Sequence, residues 1–299
     1  MNKKILTFCL GILIQIAHLN ACDICGCSIS YSNMGLLTNL HRNQLGFRHS
    51  NSSFEVQTIS GDLVKDRFQS FEINGAYYIN SKLRLYADIN FLNNTRKESD
   101  QKNAIHGIGD LKAGFAYELV NRKLLNDSYK LYFEIASQIK FPIGKYNAAI
   151  HELNLPENFN LSNGAWGINT NPKCAFSNAI NGIVLNANYT FLSNSKNGYK
   201  FGNPFQLQAL YYYEAKMNDA FKIIPFAGYY FEQIGSDRYK NNRTVEGTGG
   251  RGHYIDAGFN LNYTNYLLSI SRAFALDQQY SGGNATLKNK FSIQLTYLF

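Results

Sequence analysis

The residues best suited to chemistry lie near the start of the chain. Residues 22–28 read CDICGCS, which places Cys22, Cys25 and Cys27 within six positions. Cys-x-x-Cys spacing allows a disulfide or a soft-metal clasp, and thiolates favour copper(I) or zinc. A third fate for Cys22 is acylation, which would leave Cys25 and Cys27 as the metal candidates. Met34, His41 and His49 are further candidate donors, but the run alone is not a complete four-ligand zinc site. Cys174 stands far away in a strand-like segment and reads as a small packing residue.

Location decides between these fates. The chain opens MNKKILTFCLGILIQIAHLNAC, with Lys3 and Lys4, an apolar stretch from Ile5 to Ala17, and a small residue at Ala21. This is the pattern of a secretory signal over residues 1–21, too short for a spanning helix. Its removal lowers the formal charge from +8 to +6, since two of 29 basic residues and none of 21 acidic ones depart (27 − 21). Leu19-Asn20-Ala21-Cys22 resembles a bacterial lipobox. Either reading exports the chain to an oxidising compartment where disulfides persist.

The rest of the sequence contains no apolar run of transmembrane-helix length. It is rich in Tyr and Phe, 21 of each, and poor in Pro. Segments of about ten residues alternate apolar and polar, the period of a strand with one face in each environment. In KFSIQLTYLF, residues Phe291, Ile293, Leu295, Tyr297 and Phe299 share one face, and Ser292, Gln294 and Thr296 the other. FEINGAYYI, LRLYADINF and YIDAGFNLNY repeat the pattern. Strands are expected near 43–54, 67–79, 82–93, 109–120, 128–141, 163–177, 181–193, 204–215, 220–234, 252–263, 266–274 and 289–299. The connections then alternate: long at 55–66, 94–108, 142–162, 194–203, 235–251 and 275–288, and short elsewhere. An all-β, antiparallel, up-and-down transmembrane barrel of about twelve strands has this rhythm, with short periplasmic turns and long external loops. Both termini would then be periplasmic. Lipid offers backbone groups no hydrogen bonds, so the sheet must close. A secreted β-sandwich would also alternate, and is the competing architecture. Prolines in NPKCAF and KIIPFAG suit an edge, bulge or strand end better than a strand centre.

GIGDLKAGFAYEL (107–119), QIKFPIGKYN (138–147) and SNGAWGIN (162–169) resemble a family of outer-membrane barrels labelled as transporters of a phenol meta-cleavage pathway. The matching positions are Gly107, Gly109 and Asp110, then Lys140, Pro142 and Gly144, then Gly164 and Gly167. CDICGCS resembles a subset with a cysteine-rich N-terminus. The C-terminal strand, ending on Phe299, resembles the signal read by the barrel-assembly machinery. The resemblance implies an outer-membrane channel or transporter for a small, aromatic or apolar solute. From the residues alone, the glycines permit turns and close strand approach, and Asp110 can bond local backbone.

The expected organisation is a signal peptide (1–21), a cysteine-rich segment (22–42) that could plug the lumen, and a barrel (43–299). Alternation directs Glu72, Arg84, Asp88, Lys112, Glu118, Lys130, Glu134, Lys140, Glu214 and Asp256 inward. A narrow lumen lets such charges pair and stiffen the wall, or line a polar path. GTGGRGH (247–253) lacks a phosphate-loop ending and reads as a flexible loop. No Ser/His/acid set has a recognisable spacing, so an enzyme is not expected. Arg96, Lys97, Lys102, Arg238, Lys240 and Arg243 suit anionic lipid headgroups rather than nucleic acid. Three functions compete: a small-solute channel, a metal-handling (copper or zinc) outer-membrane protein, and a non-transporting structural barrel.

Overall fold

A computed structural model describes residues 42–58, 61–98, 101–124, 128–153 and 155–299. The expected signal peptide and Cys22, Cys25, Cys27, Met34 and His41, with the candidate plug up to residue 41, lie outside the described residues.

The described chain is one antiparallel sheet closed on itself. Its strands are β1 (Gln44–Gln57), β2 (Leu63–Tyr78), β3 (Leu83–Glu98), β4 (Gln101–Leu124), β5 (Lys130–Phe141), β6 (Gly167–Ser177), β7 (Asn181–Leu192), β8 (Pro204–Tyr213), β9 (Ala215–Lys216), β10 (Phe221–Ile234), β11 (Gly250–Tyr263), β12 (Tyr266–Tyr280) and β13 (Ala285–Leu298). Each pairs with its neighbours in sequence, except that β8 and β9 lie along the same edge of β10 as one interrupted strand. The sheet therefore has twelve staves. It closes where β13 meets β1, from Gln44 opposite Leu298 to Val56 opposite Ala285. Asn43 and Phe299 extend this seam by exchanging backbone hydrogen bonds of 3.1 and 2.9 Å. Closure leaves no open edge, which a sheet in lipid requires.

Both ends of the closed sheet and the turns 79–82, 178–180, 217–220 and 264–265 lie at one rim, called here the turn end. The connections 142–166, 193–203 and 235–249 lie at the other, the loop end. Alternation sorts the side chains as expected. Leu45, Phe47, Ile73, Leu85, Phe115, Ile139, Ile168, Leu185 and Leu295 point outward and are exposed, while Gln44, Arg48, Glu72, Asn74 and Arg84 point inward and are buried. Outward aromatics pair near the rims: Tyr266 with Tyr297 (centroids 5.3 Å apart) and Tyr129 with Phe176 (4.9 Å) at the turn end, Phe141 with Trp166 (5.2 Å) toward the loop end. Such belts mark the two interfaces of a bilayer.

Three expected loops are strands. Residues 55–66, 94–108 and 275–288 mostly continue the sheet past the apolar band. The reason is a change of phase. Toward the loop end, the outward positions are polar, as at Lys65, Arg67, Asn93, Thr95, Lys97 and Lys288. The inward ones include Phe54, Val64, Phe68, Tyr280 and Leu287. Outside lipid the sheet encloses an apolar core, like a soluble barrel. A β-bulge at Ser53/Phe54 lies where the phase changes in β1.

The prolines sit inside strands after all. Pro172 keeps its place opposite Ile135 of β5, while pairing with β7 is interrupted at Asn171 and Pro172. There Asn171 Nδ2 donates to Ala187 O at 2.7 Å. Pro225 pairs with Phe259 of β11, and the break between β8 and β9 falls on its other side. In each case the ladder yields on the side of the missing N–H donor.

Leu295 is the middle of the outward series Phe291–Phe299, so Leu295→Arg should cost roughly 2–4 kcal/mol, as cations do at a bilayer midplane. Gln57→Arg, outward beyond the apolar band, should cost about 1 kcal/mol or less. Urea-dependent folding into bilayers reads both; equal costs would contradict the placement of the band.

Candidate functional site: a polar bore with an infolded connection

The long connection 142–166 does not stand outside the barrel. It carries two 3-10 turns, Ile150–Leu153 and Glu157–Phe159, and folds into the loop end of the bore. Ile150, Leu155 and Phe159 are fully buried and pack with Phe54, Phe68, Tyr230, Tyr254, Tyr280 and Leu287. The ring centroids of Phe68 and Phe159 lie 4.9 Å apart. Each such apolar side chain contributes roughly 1.5–3 kcal/mol when fully buried, so the tip of the connection is firmly seated. The phase change in the surrounding strands serves this core.

The base of the connection is tied by the motifs that carry the family resemblance. Lys140 is the penultimate residue of β5 and Asp110 lies on β4. Lys140 Nζ contacts Asp110 Oδ2 and Asn163 Oδ1, each at 2.5 Å, and Asp110 Oδ1 accepts from Gly144 N at 3.3 Å. Gly144 packs against backbone: a Cβ there would fall 3.0 Å from Ile108 O. Gly164 has φ +62 and lies against the Tyr146 ring. The two strands and both limbs of the connection thus meet at one buried ion pair.

Below the infolded segment lies a cavity lined mainly by β1–β7. Its charges pair across strands: Arg48 of β1 with Glu72 of β2, Lys112 of β4 with Asp88 of β3 at 3.2 Å, and, reaching past β4, Arg84 of β3 with Glu134 of β5 at 2.7 Å, with Lys173 of β6 3.7 Å from the same carboxylate. Gln138 donates to Asp88 at 3.0 Å, and Tyr132 to Glu134 at 2.9 Å. Amides fill the intervals, among them Asn74, Asn90, Asn158, Asn169 and Gln206. Cross-strand pairing of this kind stiffens a wall and leaves it polar.

Among the sequence candidates, Glu72, Arg84, Asp88, Lys112, Glu134 and Lys140 line this cavity. Glu118 is buried nearer the turn end and accepts from Tyr78 at 2.9 Å. Asp256 is inward and fully buried on the β11 wall, where it accepts from Gln208 at 2.7 Å. Lys130 does not reach the lumen: it is exposed at the rim, where β5 begins. Glu214 sits between β8 and β9 and pairs with Lys222 at 2.5 Å, away from the cavity. Sequence reasoning missed Arg48, although it alternates with Phe47 and His49. It missed Lys173, beside Pro172, and Asp110, read only as bonding local backbone at a strand start. It also missed Glu232, which pairs with Lys290 at 2.6 Å and accepts from Tyr230, Tyr254 and Tyr280 against the infolded tip. His49 faces outward, stacked on Phe71 at 4.5 Å and edge-on to Phe291 at 5.8 Å. It is therefore not a donor for a metal in the bore. Cys174 is a half-buried free thiol.

The loops 193–203 and 235–249 form a second packed unit at the loop end. Tyr199 OH and Gly202 N donate to Asp237 at 2.7 and 2.6 Å, and Asp237 N donates to Thr248 Oγ1 at 2.7 Å. Burial pushes the Asp237 carboxyl up to about 6 from 3.8, although these donors favour its charged form.

Asp110→Asn removes the carboxylate that Lys140 and Gly144 share and should loosen the connection by about 3 kcal/mol or more. Faster limited proteolysis within 142–166, with the strands still protected, reads this; unchanged cleavage would contradict the clamp. For Asp237, the folded carboxyl holds its proton to higher pH than the unfolded one. Packing of the two loops is therefore strongest below about pH 4 and weakens as pH rises to about 6, by on the order of 3 kcal/mol. Protease nicking in 235–249 should increase over that window and be flat in Asp237→Asn.

No curated protein matches the chain. Among solved structures, an outer-membrane channel of Pseudomonas putida F1 aligns with TM-score 0.64 and 11% identity, over 86% of this chain and 96% of that one. At that identity the likeness is one of fold. The β domain of the Bordetella autotransporter BrkA (TM-score 0.49, 12% identity, 86% and 100% covered) and the transport unit of AIDA-I from Escherichia coli (0.48, 11%, 87% and 92%) align at lower similarity. The family profile described as "Putative MetA-pathway of phenol degradation" matches residues 43–288, which span the closed sheet almost from end to end and include every motif that ties the infolded connection. The chain belongs to that family.

Proposed function

We propose that this protein is an outer-membrane channel for a small solute. The observation that carries the reading is a closed barrel, apolar outside, whose bore holds a polar cavity beneath an infolded connection. Constrictions of this kind select by size and by the groups that replace a solute's water. The turn end faces the periplasm and the loop end the exterior, as the lengths of the connections suggest. β13 is then the strand offered to the barrel-assembly machinery. The lining residues are mostly paired charges and amides, while most of the surface they show the cavity is carbon, which suits a small solute with both polar groups and C–H faces.

Liposomes containing the purified chain should swell in isotonic urea or glycine several times faster than protein-free liposomes. Rates equal to the protein-free control for both solutes would overturn the channel. Orientation is checked separately. On intact cells a membrane-impermeant thiol reagent should label Lys240→Cys at the loop end and spare Asn218→Cys at the turn end. The reverse pattern would invert the assignment.

A further inference from the structure

Most amides around the cavity are committed to the protein itself. Asn160 binds the backbone of its own connection, its Oδ1 accepting from Asn147 N at 2.7 Å and its Nδ2 donating to Asn147 O at 3.2 Å. Asn163 holds Lys140, and Asn94 Nδ2 donates to Phe159 O at 3.1 Å. Three are different. Asn158 lines the cavity and is 4% exposed, yet neither Nδ2 nor Oδ1 has a hydrogen-bond partner among the described residues. Asn74, 3% exposed, spends Nδ2 on Glu72 at 3.1 Å and leaves Oδ1 unpaired. The Oδ1 of Asn90 is also unpaired.

The surroundings are shaped to hold these groups. The Asn74 oxygen lies in a recess made by Gly46, where a Cβ would fall 2.5 Å away, and the Asn90 oxygen lies against Gly109, where a Cβ would collide with it. Asn158 is fixed by its neighbour Phe159, which is fully buried in the core of the infolded segment. Buried amide groups left unpaired carry a desolvation cost of roughly 1–3 kcal/mol each, which a solute in the cavity offsets where a small side-chain rotation turns the group toward it. The inventory is three acceptor oxygens and one NH2 donor group. Charge is not wanted, because Arg48–Glu72 and Lys112–Asp88 beside them are already paired. Phe68 and Leu161 line the same cavity and suit the C–H faces of such a solute.

We propose that Asn74, Asn90 and Asn158 form a binding step in the bore for an uncharged solute rich in O–H donors, a small polyol or sugar, which exchanges its water for these carboxamides. This rests on the channel reading and specifies its substrate class.

The test compares ribitol with glycine betaine, of similar size and without O–H or N–H donors. In liposomes carrying the full chain, ribitol should enter at least threefold faster than betaine. In the double variant Asn90→Leu/Asn158→Leu the ratio should fall towards one. On the unaltered chain, which needs no variant to fold, ribitol and not betaine should reduce single-channel ion current saturably. Equal entry of the two solutes, a ratio untouched by the double variant, or the same current with both additives would overturn the proposal while leaving a channel standing. Entry of neither solute where urea enters would likewise overturn the proposal, and entry of none of the three would overturn the channel itself.

Discussion

The arrangement of the bore depends on one buried ion pair, Lys140 with Asp110. Lys140 is the last inward residue of β5 before the chain turns back into the lumen, and Asp110 is its partner on β4. With Gly144 and Asn163 as further contacts, the pair holds the outgoing and returning limbs of residues 142–166 together. Its low exposure makes the attraction strong and the loss of either partner costly. Everything below it follows: where the tip of the connection can reach, which amides it presents, and how much of the lumen remains.

The tip is held by a different force. Ile150, Leu155 and Phe159 meet apolar side chains that point inward only beyond the lipid band. The barrel therefore carries opposite patterns along its length. Where lipid surrounds it, outward residues are apolar and inward ones polar. Where water surrounds it, the pattern inverts around the infolded segment. The Glu232–Lys290 pair and its three tyrosines lie at the junction and satisfy buried polar groups beside that core.

This inversion explains what could be read in the sequence. The twelve staves within the lipid band were legible, because a strict period of two and the short turns leave little freedom. The extensions at 55–66, 94–108 and 275–288 were not, since the period persists there but its phase shifts at bulges and the outward face turns polar. Inward charges were legible where they alternate cleanly with apolar neighbours, as Glu72 and Arg84 do. Lys173 was hidden by the proline beside it, and Lys130 and Glu214 misled because they alternate correctly yet sit at the rim. Gly107, Gly109, Asp110, Lys140 and Gly144 were visible as a pattern, but their purpose was not. The contacts that join them run between strands and cross 30 or more residues of sequence.

The most direct measurement of this account is single-channel conductance in planar bilayers after residues 148–162 are replaced by a short glycine-serine bridge. If the infolded connection sets the bore, conductance should rise several-fold over the unaltered chain, because the sheet closes through β13 and β1 independently of that segment. An unchanged conductance from a folded barrel would show that the connection does not limit the path, and would contradict the account.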